Sequence, residues 1–240
     1  MMRLLTARPL VVGPPSVRRP LAAVVALLVV AGLVLVAALR LEAANRTATE
    51  RARSDAFYGR LYGFAASGVV LDSLEELGQY SQAVVLGRFD GRVEPGRVVG
   101  DPASTLGHKY DVSFANLGFS IEAILAGSLP AADAKDLLLE YLVGGPDEIR
   151  ALADTLPTER TVMFIGSKYL RAAGIPTVYY EVLLGRGTFR ELDGRTAPVG
   201  LMTDRQFGRL EGLPFGDFLD LVRQIPILDE PLPAEPGQPG

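Results

Sequence analysis

The chain has 240 residues, with 24 basic and 28 acidic side chains, one histidine and no cysteine. The missing cysteine excludes disulfides, thiolate metal ligands, cysteine nucleophiles and lipid attachment through an N-terminal cysteine. Charge is distributed unevenly, because residues 1–54 carry eight basic and two acidic side chains, whereas residues 55–240 carry sixteen basic and twenty-six acidic ones. An acidic domain repels phosphate backbones, so we do not expect nucleic acid as a partner.

An uninterrupted apolar run begins at Leu21 and ends at Leu39. As a helix it would be roughly 28 Å long, close to the thickness of the hydrocarbon core of a bilayer. The run therefore predicts one transmembrane helix over residues 21–41, with the lipid bilayer as its partner. A cleaved signal peptide stays open as an alternative, since the small residues from Val36 to Ala38 offer a cleavage site. A buried core helix is disfavoured, because such segments are usually shorter.

The arginines on either side of this run indicate how the predicted helix is oriented in the membrane. Four precede it and four follow it, namely Arg3, Arg8, Arg18 and Arg19, and Arg40, Arg46, Arg51 and Arg53. The count is balanced, but the tail of residues 1–20 has no acidic side chain and ends in two arginines against the apolar run, as cytoplasmic tails do. We therefore expect an extracytoplasmic C-terminal domain. A domain that faces the cytoplasm is the alternative that the balanced count leaves open.

Residues 42–70 are expected to form a helical stalk or linker, because the chain after the apolar run is rich in alanine, arginine and glutamate. This stretch contains four aromatic residues, Phe57, Tyr58, Tyr62 and Phe64. A continuous helix would place Phe57 about 27 Å beyond the apolar run, past the lipid headgroups. We therefore expect the aromatic residues to pack on the domain rather than to form an interfacial belt.

Short apolar runs separated by turn residues predict a strand-rich domain over residues 71–225. The predicted strands cover residues 83–89, 92–93, 110–125, 136–143, 161–167, 177–185, 188–192 and 195–199, with an interruption expected at 116–118. Asp90-Gly91 and Asp193-Gly194 are typical of two-residue hairpin turns, and residues 94–109 are expected to form a loop. Helices are predicted at residues 72–80, 147–156 and 213–225, and the proline-rich tail 226–240 is expected to be extended or disordered.

These elements predict an α+β domain that is mainly β. The expected architecture is an antiparallel sheet of five to seven strands, closed as a small OB-like barrel and flanked by short helices, behind an N-terminal transmembrane helix. Residues 73–199 also resemble a group of exported proteins of high-GC Gram-positive bacteria, most of which have no assigned function. The resemblance is carried by the segments SLEELGQYSQAVVLGRFDGRV, YDVSFANLGFSIEAILAGSLP, DLLLEYLVGG, RTVMFIGSKYL and YYEVLLGRGTFRELDGRTAPV.

The resemblance implies a fold and sets a limit on function. The group resembles an OB-type barrel of the kind found in netrin and metalloprotease-inhibitor domains. Inhibitors of that class place an N-terminal cysteine on the zinc ion of their target. This chain has no cysteine, so protease inhibition by that route is not carried over.

Several residues are candidates for a site, and none is assigned a catalytic, cofactor or metal role. His108 is the only histidine, but no serine lies in a G-x-S-x-G elbow that it could activate. Asp133, Asp136 and Glu140 would share a face in a helix, whereas in the strand favoured by Leu137–Leu139 they would be scattered. Three further acids are expected to be structural: Asp147, Glu148 and Asp154. Gly185-Arg-Gly187 lacks the third glycine of a dinucleotide fingerprint and is interpreted as part of a hairpin.

The sequence therefore supports a hypothesis about location more strongly than one about chemistry. We expect a single-pass membrane protein that presents an extracytoplasmic binding or interaction domain, whose partner is an envelope protein. The alternative is an envelope hydrolase whose carboxylates are brought together only by the fold.

Overall fold

The computed structural model describes residues 18–62, 73–99, 112–167, 177–182, 187–199 and 207–228, excluding the side chains of residues 18–31, 62, 99, 112 and 167. Two compact units are present, Met1–Ala48 and Thr49–Gly240. Helix α1 spans Arg18–Tyr62, and its residues up to Ala48 belong to the first unit.

The predicted membrane helix falls largely outside the side chains that the structure describes. Within the described part of the chain, no helix is both long enough and apolar enough to span a bilayer. The side chains of residues 21–31, which form more than half of the apolar run, lie outside the described ones. The transmembrane helix therefore stays a prediction.

The second unit is a seven-stranded sheet with short helices, an α+β fold that is mainly β. Its strands are β1 (Ala83–Val99), β2 (Val112–Gly127), β3 (Asp136–Val143), β4 (Thr161–Ser167), β5 (Val178–Glu181), β6 (Thr188–Leu192) and β7 (Arg195–Pro198). Its described residues also form the helices α2 (Leu74–Gln79), α3 (Pro146–Thr155) and α4 (Phe215–Val222) and a 3-10 turn (Phe207–Arg209).

The strands follow one another in the order β1-β2-β3-β5-β4-β6-β7, and β1 pairs with β4 as well. Among the described pairings, β3 with β5 is parallel and the others are antiparallel. The first part of β1, Ala83 to Gly87, pairs with both β2 and β4, whereas its later residues pair with β2 alone. Strand β4 pairs with β6 near its start and with β5 near its end, so both lie along the same edge of β4.

Two apolar clusters form on opposite faces of the sheet. The inner cluster comprises Phe57, Tyr58, Leu61, Ala83, Val85, Phe89, Ala115, Leu117, Phe119, Leu137, Leu139, Tyr141, Val143, Leu152, Leu156, Met163, Ile165, Tyr179 and Val199. The outer cluster comprises Leu77, Val84, Leu86, Leu125, Val162, Phe164, Val182, Phe189, Phe207, Phe215, Phe218, Leu219, Val222 and Ile225. Strands β1 and β4 contribute alternate residues to both clusters, which explains the unbroken apolar runs at residues 83–86 and 162–165.

Most predicted elements are confirmed. Strands β3, β4 and β6 have the predicted bounds, and α3 and α4 lie within one or two residues of theirs or inside the predicted range. Asp193 and Gly194 have φ angles of 53° and 72°, so both adopt the left-handed conformation of a type I′ hairpin turn between β6 and β7. Phe57 and Tyr58 are buried in the inner cluster, as expected of aromatic residues that pack on the domain.

The hairpin predicted at Asp90-Gly91 is wrong. Residues on both sides of it pair with β2, since Phe89 lies opposite Phe119 and Val93 opposite Leu117. The extra residues form a bulge in which Gly91 has a φ of 95° and Asp90 forms an ion pair with Arg92. The interruption expected at 116–118 lies in β1 instead, because β2 pairs with β3 without a break there.

The loop predicted at residues 94–109 is also wrong in its first part, because β1 extends to Val99. The long β2 ladder continues opposite these residues and supplies them with backbone partners. Some predictions concern parts of the chain outside the described residues and stay predictions. These parts are residues 100–111, the side chain of Tyr62, Phe64, Gly185 and the tail from residue 229.

Candidate functional site

The acidic residues singled out in the sequence lie apart from one another in the structure. Asp133 is buried in the turn before β3, where its carboxylate accepts a hydrogen bond of 2.9 Å from the Tyr179 hydroxyl. Asp136 is exposed at the start of β3, with its carboxylate 3.8 Å from the guanidinium of Arg92. The strand geometry therefore scatters these carboxylates, as the run of leucines predicts.

Glu140 lies on the face of β3 opposite the inner cluster, because the alternate residues of the strand point into that cluster. Its side chain is only 2% exposed, and Arg97 donates to its two oxygens at 3.0 and 3.4 Å. The guanidinium of Arg97 also stacks 4.4 Å from the centre of the Phe114 ring. This forked ion pair ties β1 to β3 across β2, so Glu140 has a structural role.

The acids of α3 behave as expected of a helix start. Pro146 occupies the first position of α3, and Asp147 and Glu148 lie in the first turn, where the helix dipole favours negative charge. Glu148 accepts from the backbone N–H of Gly144, and the exposed Asp147 pairs with Arg150. His108 lies outside the described residues. Among the described residues, no group of three or more acidic or histidine side chains is placed to hold a metal ion.

Gly187, from the G-x-G-x-F segment, closes a gap in the β5–β6 edge. The backbone of Phe164 in β4 accepts from Val182 and donates to Gly187, both at 2.8 Å, so the end of β5 and the start of β6 are held by the same residue. A Cβ atom at Gly187 would lie 2.5 Å from the carbonyl oxygen of Val182. Only glycine fits this close approach of two backbones, which supports the structural interpretation of the segment.

The most concentrated polar chemistry of the described residues lies where α1 meets the sheet. We name this group the junction cluster: Ser54, Asp55, Tyr58, Glu159, Thr161 and Arg190. The Ser54 hydroxyl donates to the Glu159 carboxylate and accepts from Arg190 at 2.6 Å. Arg190 also donates to Asp55 and lies 4.0 Å from Glu159. The Arg190 guanidinium therefore contacts the Ser54 hydroxyl and the Asp55 carboxylate, both on α1, and the Glu159 carboxylate, which lies in the segment before β4.

Tyr58 belongs to both the junction cluster and the inner cluster, so it links the two. Its side chain is buried, its hydroxyl lies 3.4 Å from that of Thr161, and the guanidinium of Arg190 lies 5.7 Å from the centre of its ring. Burial raises the pKa of Tyr58 well above its ordinary value, and the negative charges of Glu159 and Glu181 raise it further. The phenol is therefore neutral at every physiological pH and acts as a hydrogen-bonding group.

Glu181 is a second polar feature of the interior. It is 1% exposed and lies on the same face of β5 as Tyr179, which belongs to the inner cluster. Burial raises the pKa of the Tyr141 hydroxyl well above its ordinary value, and the negative charge of Glu181 raises it further. The hydroxyl of Tyr141 lies 3.9 Å from the sulfur of Met163, a weak acceptor.

This arrangement favours binding and positioning over nucleophilic chemistry. Ser54 has the hydroxyl–carboxylate pairing of an activated nucleophile, but it is fully buried, so a substrate cannot reach its hydroxyl in this state. Sequence reasoning missed the junction cluster because its members are more than one hundred residues apart, as Ser54 and Glu159 are. The sequence VYYE of β5 does not alternate polar and apolar residues, so no local signal indicates that the Glu181 carboxylate faces the interior.

Comparisons with protein-family models, with the curated proteins and with the solved structures found no match to this chain.

Proposed function

We propose that the chain is a single-pass membrane protein whose C-terminal domain is an extracytoplasmic binding or interaction module of the bacterial envelope. The anchor is residues 21–39, and the partner of the module is an envelope protein. The domain is an OB-like barrel of the netrin and metalloprotease-inhibitor type.

The exposed apolar surface of α1 carries the proposal of an anchor. Leu33, Val34, Leu35 and Val36 are consecutive and are 66%, 63%, 61% and 49% exposed. Consecutive helical residues are 100° apart, so four of them cover every side of the helix. A helix that is apolar all round requires an apolar environment, and the same surface continues through Leu39 and Leu41.

The strand pairings support the proposed barrel. From β1 the neighbours run through β2, β3, β5 and β4, and β4 pairs with β1 again. Helix α3 lies between β3 and β4 in the sequence, and the β3–β5 contact is parallel, as in OB-type barrels. This contact consists of two residue pairs, Leu138 with Val178 and Leu139 with Tyr179, and is the least extensive part of the ring.

The placement of the acids supports a binding role over the hydrolase alternative. A carboxylate hydrolase needs two acids that face one accessible cleft at a distance suited to the reaction. Here Asp133 is bound by Tyr179, Glu140 by Arg97, and Glu159 by Ser54. These three carboxylates are used within the fold, so a binding module is the simpler interpretation.

Membrane attachment and orientation are tested first, in the full-length protein. We expect it to stay with the membrane pellet after an alkaline carbonate wash, and a variant without residues 21–39 to be released. Alkaline phosphatase fused after Gly240 should be active only if the domain lies outside the cytoplasm. An inactive but intact fusion would overturn the proposed orientation, and release of the full-length protein by carbonate would overturn the anchor.

The interaction role is tested by crosslinking in the native membrane. Because the chain has no cysteine, one cysteine introduced at an exposed position such as Ser120 gives a single crosslinking site. We expect a discrete crosslinked adduct from the sheet surface, and none from a cysteine at exposed Ala52 on α1. The absence of any adduct from several exposed strand positions would contradict the interaction role.

A further inference from the structure

Two unpaired polar atoms lie on one face of β6. Among the described residues, the Thr188 hydroxyl and the Nε of Arg190 are buried without a hydrogen-bond partner. Thr188 is completely buried, and the side chain of Arg190 is 12% exposed. An unpaired buried polar group usually costs about 1–3 kcal/mol, so such groups are rare and call for a physical reason.

The ladder register shows that these groups point to the same side. Arg190 lies opposite Thr161, Thr188 opposite Met163, and Glu181 opposite Ile165. Residues directly opposite each other in an antiparallel pair have their side chains on the same face. Met163 and Ile165 belong to the inner cluster, so Glu181, Thr188 and Arg190 also face the inner side of the sheet.

Their spacing suits a bridging molecule better than direct contact. Successive positions on one face of a strand are about 6.8 Å apart. Two hydrogen bonds that share one bridging atom span roughly 5.6 Å. This length is close to the spacing of the two positions, so both side chains can reach the same bridging atom by leaning slightly toward each other. The Tyr141 hydroxyl, which lies 3.9 Å from the Met163 sulfur, is next to the same position.

The chemistry of the groups selects the kind of molecule. The Arg190 Nε is a donor, the Thr188 hydroxyl is both donor and acceptor, and the Glu181 carboxyl is an acceptor. The guanidinium disfavours a cation, and the carboxyl disfavours an anion. A molecule that both accepts and donates, and that is small enough for a packed interior, is required; water satisfies each condition.

We propose that Thr188 and Arg190, together with Glu181, form an internal binding site for an ordered water molecule beneath α1. The water accepts from the Arg190 Nε and connects the Thr188 hydroxyl to the polar interior. The site joins the interior carboxyl to the junction cluster, because Arg190 also holds Ser54 and Asp55 of α1.

The test compares two buried threonines in the full-length protein in detergent. Thr196 is 2% exposed and its hydroxyl also has no partner among the described residues, but it lies on β7, away from Glu181. If water binds Thr188, T188V removes a satisfied group and should raise the unfolding equilibrium constant about fivefold to tenfold. T196V removes an unsatisfied hydroxyl and should leave this constant unchanged or lower it.

Nuclear Overhauser contacts between water and the Thr188 methyl group, measured in the unmutated protein, provide an independent readout that does not depend on a variant that folds. We expect a contact at Thr188 and none at Thr196. The proposal is overturned if Thr188 shows no water contact, or if T188V is as stable as T196V.

Discussion

The two apolar clusters on either side of the sheet are built from different chemistry. The outer cluster is held by phenylalanines, with the ring of Phe189 4.9 Å from that of Phe218 and 6.0 Å from those of Phe164 and Phe207. The inner cluster has aromatic contacts as well, but it also contains buried tyrosine hydroxyls and lies against the buried Glu181. Apolar burial accounts for the outer cluster, whereas the inner cluster carries desolvated polar groups that packing does not require.

The two clusters differ in polar content because different helices cover the two faces of the sheet. The outer cluster is covered by α4, whose buried residues are all apolar. The inner cluster receives the last turns of α1, which bring Ser54 and Asp55 together with Phe57. The segment of α1 from Thr49 onward is therefore a structural part of the second unit.

The largest expected effect is the loss of this part of α1. Phe57, Tyr58 and Leu61 are at most 3% exposed, and burial of each contributes about 1.5–3 kcal/mol. Their combined contribution is comparable to the whole stability of a typical domain, about 5–15 kcal/mol. We expect residues 49–240 to fold and residues 63–240 to remain unfolded, as measured by circular dichroism and amide chemical-shift dispersion. A dispersed spectrum from the shorter fragment would show that α1 is dispensable.

A smaller effect is expected from single truncations in the two clusters. Phe119 in the inner cluster and Phe218 in the outer cluster are both fully buried. Replacing either with alanine should lower the free energy of unfolding by about 3–5 kcal/mol, as measured by denaturant titration.

The milder substitutions F119L and F218L test whether the clusters are independent. Because the two rings lie on opposite faces of the sheet, the costs in the double variant should add to within about 0.5 kcal/mol. A larger deviation would mean that the clusters are coupled through the strands they share.

Several elements on both faces of the sheet follow directly from the sequence. The bounds of β3 and β4 follow from short apolar runs that end at glycine or at polar residues, and α4 follows from apolar residues at helical spacing. The Asp193-Gly194 turn is fixed by two residues in the left-handed conformation. Each of these signals is local, so it can be read from a few neighbouring residues.

The remaining features depend on distant partners. Asp90-Gly91 fits a hairpin turn as well as a bulge, and the length of β2, which pairs on both sides of it, decides between them. The junction cluster joins Ser54 to Glu159 and Arg190, which only the fold brings together. The buried Glu181 is a charged residue in a strand, and no local pattern states which partners it meets in the interior.

Substitutions at two arginines test whether the polar contacts on the two sides of the sheet differ in their contribution to stability. Arg190 is 12% exposed in the junction cluster, whereas Arg160 is 31% exposed, pairs with Glu122 and Glu191 and lies 5.6 Å from the centre of the Phe215 ring. Replacing Arg190 with methionine leaves the nearly buried Glu159 without its cation and should cost about 2 kcal/mol. The same change at Arg160 should cost at most about 1 kcal/mol, because exposed ion pairs contribute little. Equal losses in denaturant titrations would remove the distinction between the two sides.

The smallest expected effect is confined to alkaline pH. Burial raises the pKa of Tyr58 and Tyr141 in the folded state above the ordinary value of about 10. The stability that the neutral phenols contribute is fully present below about pH 10 and is lost as the pH rises above it, because only the unfolded chain ionises easily there. Each of these tyrosines lowers the free energy of unfolding by at most about 1.4 kcal/mol per pH unit in this range.

Y58F tests this alkaline loss against a tyrosine on the other side of the sheet. Removing the Tyr58 phenol should make the fall in stability with pH less steep, as measured by denaturant titrations at a series of alkaline pH values. Tyr180 packs against the outer cluster and is only partly buried, and burial raises its pKa as well. Y180F should therefore change the slope less than Y58F. The chain has no tryptophan, so tyrosinate absorbance reports the same transition directly. An equal change of slope in the two variants would mean that the hydroxyl of Tyr58 is no better shielded from water than that of Tyr180, and would contradict its burial between α1 and the sheet.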